Sequence, residues 1–225
     1  MPRPTDLIGL AGAAVVITAV VVAAGRMLGL RRSGLAVLAG ASAIAALTPI
    51  GALPVAGLLR GVVGDLSLTT LVLLLRGLAR DIRGGDPADP RTTLTLQGLI
   101  MVAGVVLYPL ALGLGAWDPY RLGYGDPWFL ATLLAVALAA LLLDTPLVTF
   151  CTALGVLAWG LRAYESRNLW DYLIDPLVFV WAASALLLRG ARAPVRRHPS
   201  PRATMPSLAD VKDGTRKEQS CLGGR

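Results

Sequence analysis

Two short segments concentrate the residue types that could bind or react. The first runs Trp117-Asp118-Pro119-Tyr120-Arg121-Leu122-Gly123-Tyr124-Gly125-Asp126-Pro127-Trp128. The second runs Arg162-Ala163-Tyr164-Glu165-Ser166-Arg167-Asn168-Leu169-Trp170-Asp171-Tyr172. Counting Trp159 one turn before the second, they hold four of the five tryptophans and four of the five tyrosines. Rings interleaved with Asp118, Arg121, Glu165, Arg167 and Asp171 suit stacking and hydrogen bonding to a polyol or lipid headgroup. They suit a protein partner equally, because Trp, Tyr and Arg are common interface anchors. Asp118, Tyr120, Arg121, Glu165, Arg167, Trp170, Asp171 and Tyr172 are therefore the expected ligand- or partner-binding residues. An aromatic belt at the headgroup level accounts for each ring taken singly. It does not account for the accompanying charges.

Other chemistry is poorly provided for. HExxH, GxSxG, Walker, CxxC and GxGxxG patterns are all missing, and the one histidine is His198. A metal site built on His and Cys has too few ligands, and no cofactor motif is present. Paired carboxylates keep one catalytic reading open, a lipid or glycan transferase using Asp118, Glu165 or Asp171 as base.

Four further aspartates follow a simpler rule. Asp6, Asp65, Asp126 and Asp175 each precede an apolar run, and Asp126 and Asp175 are followed by proline. Aspartate accepts hydrogen bonds from the free amides of a helix start, and proline fits the first helical position. Thr145-Pro146 repeats the pattern. Among these, Asp65 is the expected intramembrane polar site, because the run 61–75 could carry it below the interface, and ionisable groups there are functional by default. Asn168 offers an alternative start, capping a helix from Leu169 that would place Asp171 and Asp175 four apart on one face, with Arg167 or Arg121 as counter-charge. That reading conflicts with a capping role for Asp175.

These segments must be held by apolar elements. Of 225 residues, 55% are hydrophobic and 16% charged, against about a quarter charged in ordinary soluble domains. A span needs roughly 20 apolar residues. Candidate runs are 7–25, 33–59 (interrupted by Pro49 and Pro54), 65–78, 95–117, 128–143, 146–161 and 176–188, the last reaching 20 residues if it starts at Leu169. The 33–59 run reads as one kinked helix or as a short helix plus a re-entrant stretch. The expected fold is an all-α polytopic membrane protein of about seven transmembrane helices (six being the alternative) over 1–188, followed by a disordered basic tail over 189–225. Met1–Gly25 also resembles a signal peptide. Arg26, Arg31 and Arg32 directly after it favour a retained helix that starts outside.

Lys and Arg counts set the orientation. With seven spans and the tail inside, 16 basic residues lie on the inner side. Five lie outside, namely Arg3, Arg60, Arg121, Arg162 and Arg167. The N-terminus is then out, the C-terminus in, and the two aromatic segments extracytoplasmic. Residues 189–225 carry nine basic and three acidic groups, so most of the net +7 is tail. Nucleic-acid binding is not indicated. Arg189, Arg192, Arg196 and Arg197 would each gain about 1 kcal/mol from anionic lipid. Lysine is confined to Lys212 and Lys217 in an Ala-, Leu-, Gly- and Arg-rich chain, a usage that suggests a GC-rich bacterial genome and hence the inner membrane. Small residues at four-residue spacing, Ala39/Ala43, Ser42/Ala46 and Cys151/Gly155, suit close helix packing in lipid.

The expected function is a non-catalytic accessory protein or subunit of a cell-envelope process. Its outer loops would bind a membrane-protein partner or lipid-linked glycan. The alternatives are the transferase above and a small transporter or channel, with Asp65, Thr69, Thr70, Thr149 and Thr152 lining a path. Few charges within the spans weigh against coupled transport.

Overall fold

The computed structural model describes residues 4–51, 53–85 and 89–192. Two compact units are distinguished, 1–190 and 191–225, and Ala191 and Arg192 are the described residues of the second. The tail expected to bind anionic lipid, including Arg196 and Arg197, lies outside the described residues from position 193 onward.

The described chain is mostly helical: α1 (Pro4–Met27), α2 (Arg32–Leu47), α3 (Val55–Val63), α4 (Leu68–Arg83), α5 (Pro90–Ala111), α6 (Pro127–Leu142), α7 (Pro146–Gly160), α8 (Trp170–Leu173) and α9 (Pro176–Arg192). Strands β1 (Pro49–Ile50) and β2 (Leu53–Pro54) form a small antiparallel pair, in register Pro49 with Pro54. The 33–59 run is thus a helix, a tight reversal and a second short helix. The prolines lie in the reversal, where each lacks the amide that a helix interior needs.

Two helices, Thr5–Met27 and Pro90–Ala111, are long and apolar enough to cross a membrane by length and composition. Helices α2, α6 and α7 are apolar but shorter. The all-α class stands, and seven crossings are not reached by this measure.

Starts of helices follow the capping rule with changes. Asp126 accepts from the Phe129 amide at 2.9 Å, and Asp175 from the Val178 amide at 2.8 Å, as expected of N-caps. Asp6 falls inside the first turn of α1, and α4 is capped by Ser67 in place of Asp65. Asp89 caps α5 through the Arg91 and Thr92 amides and the Thr92 hydroxyl. Those bonds hold its carboxyl below the ordinary range. The helix therefore begins five residues before the expected Thr95. Thr145 gives α7 no side-chain cap, because its hydroxyl donates to the Ala140 carbonyl.

The core has three parts. Leu96 and Ile100 of α5 pack with Ala140, Leu147, Val148, Cys151, Val178 and Ala182. Ala13 and Ala14 of α1 meet Ala46 and Ala56, where small side chains permit close approach. Gly155 faces Leu173, and Gly104 faces Phe179 so tightly that a Cβ there would overlap the ring. The third part, around Phe129, Tyr164, Leu169 and Tyr172, underlies the two aromatic segments. At the other end of the bundle Arg26 of α1 pairs with Asp81 of α4.

Candidate functional site

The two aromatic segments form one structure. Pro119–Tyr124 is a 3-10 turn capped by Asp118, whose carboxylate accepts from the Tyr120 amide at 2.9 Å. The second segment is sewn to it by Asn168, which is fully buried. Asn168 Nδ2 donates to the Tyr120 carbonyl at 2.8 Å, and its Oδ1 accepts from the Trp170 amide at 3.0 Å. The Leu169 amide donates to the Gly123 carbonyl, and Trp170 Nε1 to the Pro119 carbonyl. A Cβ on Gly123 would coincide with Asn168 Oδ1, so this crossing requires glycine. Trp170 lies against Phe129 with ring centroids 4.5 Å apart, and Tyr172 stacks on Tyr164 at 4.9 Å. The Tyr172 hydroxyl is within bonding distance of the Ser166 carbonyl and accepts from the Tyr164 amide.

Asn168 stands one residue before the N-cap Leu169 of a single-turn helix, α8, and its side chain accepts from the Trp170 amide. The backbone turns extended at Ile174 (φ −139°, ψ 134°), and α9 begins afresh with Asp175 as its cap. Both sequence readings thus hold in part, and the proposed 20-residue helix does not form. Asp171 and Asp175 still converge on one space. Asp171 accepts from the Tyr120 hydroxyl at 3.0 and 3.1 Å and from the Ser166 hydroxyl. Asp175, 6% exposed, joins two helix starts 108 residues apart. Its Oδ2 accepts from the Ser67 amide and hydroxyl, each at 2.8 Å, and from the Thr70 hydroxyl at 2.6 Å.

Asp65 stands beside this space, in the connection between α3 and α4. Arg60 Nε donates to its Oδ1 at 2.7 Å and Nη2 to its Oδ2 at 3.2 Å, while Nη1 reaches Asp6 at 3.2 Å. The pair passes directly over Gly9 of α1, where a Cβ would overlap it.

These groups surround a cavity of about 380 Å³, whose walls include Asp65, Asp171, Asp175, Tyr108, Tyr120 and Tyr164. Burial foremost, then the Asp171 charge and hydrogen bond, push the Tyr120 phenol above its ordinary value. Burial, followed by the charge of Asp65, does the same for Tyr164. Both phenols therefore stay protonated through neutral pH.

The expected binding residues divide accordingly. Tyr120, Asp171 and Asp65 line the cavity. Asp118, Trp170 and Tyr172 hold its frame, through a cap, a ring contact and a buried hydroxyl. Arg121, Glu165 and Arg167 are exposed, and their side chains make no ion pair or hydrogen bond among the described residues. The expected arginine partners of Asp171 are thus replaced by neutral hydroxyls. Tyr108, Tyr164, Asp175 and Ser67 were not among the expected binding residues. Ser67, three residues before Thr70 at the head of an apolar run, carries a readable capping signal. Tyr108, alone in an apolar stretch, carries none that separates it from core. Among the described residues no His, Cys, Asp and Glu group of three or more could hold a metal ion.

Comparison with family models, with curated proteins and with solved structures finds no match for this chain.

Proposed function

We propose that the chain is a multi-pass protein of the bacterial cytoplasmic membrane, N-terminus out and C-terminus in. Its role is that of a non-catalytic binding subunit in a cell-envelope process. The observation that carries the binding role is the cavity where Tyr120 and Asp171, from two segments 51 residues apart, meet by hydrogen bond. A concave site of this volume suits a small polar group, such as the head of a lipid-linked glycan, better than a docked protein surface. Asp175 has both oxygens occupied and Asp171 receives two hydroxyls, an arrangement that favours fixed recognition over proton transfer.

Membrane residence is supported by the apolar surface. Helices α1, α2, α5, α6, α7 and α9 expose Val20, Val37, Val102, Leu134, Leu157 and Val180 respectively. Soluble monomers rarely present apolar area on every side, whereas lipid solvates it without cost. The proposed orientation is supported by the count of basic residues, which puts more of them on the side opposite the aromatic segments.

The role is tested by complementing a deletion strain. Asp171→Asn and Tyr120→Phe should impair function with protein level and insertion preserved. Glu165→Gln and Arg167→Gln, outside the cavity, should not. Full activity of both cavity variants would remove the binding role.

A further inference from the structure

Among the described residues the cavity walls carry three carboxylates, Asp65, Asp171 and Asp175, and of these Asp65 is ion-paired. Arg60 pairs with Asp65 and also reaches Asp6. Among the described residues Asp171 and Asp175 accept from neutral donors only, which satisfy a carboxylate's lone pairs but bring no countercharge. A second feature is independent of charge. Tyr164 is 3% exposed and lines the cavity, yet its hydroxyl has no hydrogen-bond partner among the described residues, and the Tyr108 hydroxyl is in the same position. Native proteins rarely leave a buried hydroxyl unpaired unless something else completes it. Both oxygens offer acceptor lone pairs beside these carboxylates, and tyrosine ring faces attract cations. An ammonium group supplies the N–H donors that these two oxygens lack, and carries the charge that the carboxylates attract.

We infer that the cavity binds an organic primary ammonium group, its N–H donors directed to the hydroxyls of Tyr164 and Tyr108 and its charge facing Asp171. This rests on the binding role proposed above and names the ligand class of that site. The ammonium can belong to a free amine or to an amine-bearing lipid headgroup.

The test is calorimetric titration of the full chain in detergent with propylammonium chloride, with sodium chloride at equal ionic strength as the reference. Saturable binding is expected. Asp171→Asn should weaken it by about tenfold or more, through loss of the charge. Tyr164→Phe removes a hydroxyl that has no partner among the described residues and so should leave folding intact, while weakening binding about fivefold. Repeating the titration in nanodiscs with phosphatidylethanolamine or with phosphatidylglycerol alone separates the sources. Competition by the former assigns a headgroup, equal affinity assigns a free amine, and either supports the inference. Absence of saturable binding, or binding unchanged in both variants, overturns it. If the cavity variants still fail complementation in that event, the ligand class falls and the binding role stands.

Discussion

The Tyr120 hydroxyl lies 3.0 and 3.1 Å from the two oxygens of Asp171, a contact that closes the cavity wall between two segments far apart in the chain. Hydrogen bonds to a charged acceptor are worth about 1.5–3 kcal/mol when buried. This one is half-buried and shares its acceptor with Ser166. Tyr120→Phe should therefore lower stability by about 1 kcal/mol, read as a fall in thermal unfolding midpoint in detergent. An unchanged midpoint would show that the Ser166 bond alone holds Asp171.

Asn168 should matter more to the fold than any exposed charge. Asn168→Ala takes the side-chain partner from the Tyr120 carbonyl and the Trp170 amide, both half-buried, at a cost of about 1–3 kcal/mol. Gly123→Ala should cost at least as much, because its Cβ has no space. Arg167→Gln in the same assay should shift nothing. Equal effects in all three would contradict the packing described for this crossing.

Asp175 ties α4 to α9, so its removal should destabilise two helix starts together. Asp175→Ala is expected to cost about 3 kcal/mol or more, since a buried amide and two hydroxyls lose their acceptor. Ser67→Ala should cost less, and the double variant less than the sum, because the two share one network. Additive losses would mean that they act separately.

The raised phenols give a pH dependence of definite sign. An unfolded tyrosine ionises near 10, whereas Tyr120 and Tyr164 hold their protons to higher pH in the folded chain. Their contribution is fully present below about pH 10 and is lost as pH rises above it. Unfolding midpoints should be flat from pH 8 toward 10 and then fall, and Tyr120→Phe should make that fall shallower. A fall identical in the variant would assign the alkaline loss to other groups.

Part of this arrangement is legible in the sequence, and the rest is hidden for physical reasons. Asp126-Pro127 and Asp175-Pro176 read correctly as caps because the geometry of a helix start is local. The Asp89 cap is not legible from apolar content, because the first turn of α5, Pro90 to Thr93, is polar and the apolar run starts after it. The two aromatic segments were recognised as the chemically rich part of the chain, but their partnerships were not. Charge pairing suggested arginine for Asp171, where the fold supplies Tyr120 and Ser166. Which hydroxyls meet a carboxylate depends on tertiary packing that no spacing encodes. The sequence marks Asp65 as an intramembrane polar site, and the fold pairs it with Arg60, five residues earlier, across the α3–α4 connection.

The most direct test of the account is the side of the membrane on which the cavity opens. Glu165→Cys in a chain with Cys151 and Cys221 replaced by serine should react with a membrane-impermeant maleimide in intact cells. Gly85→Cys in the same background should react only after the membrane is broken. Labelling of position 85 in intact cells while position 165 stays protected would contradict an outward-facing site.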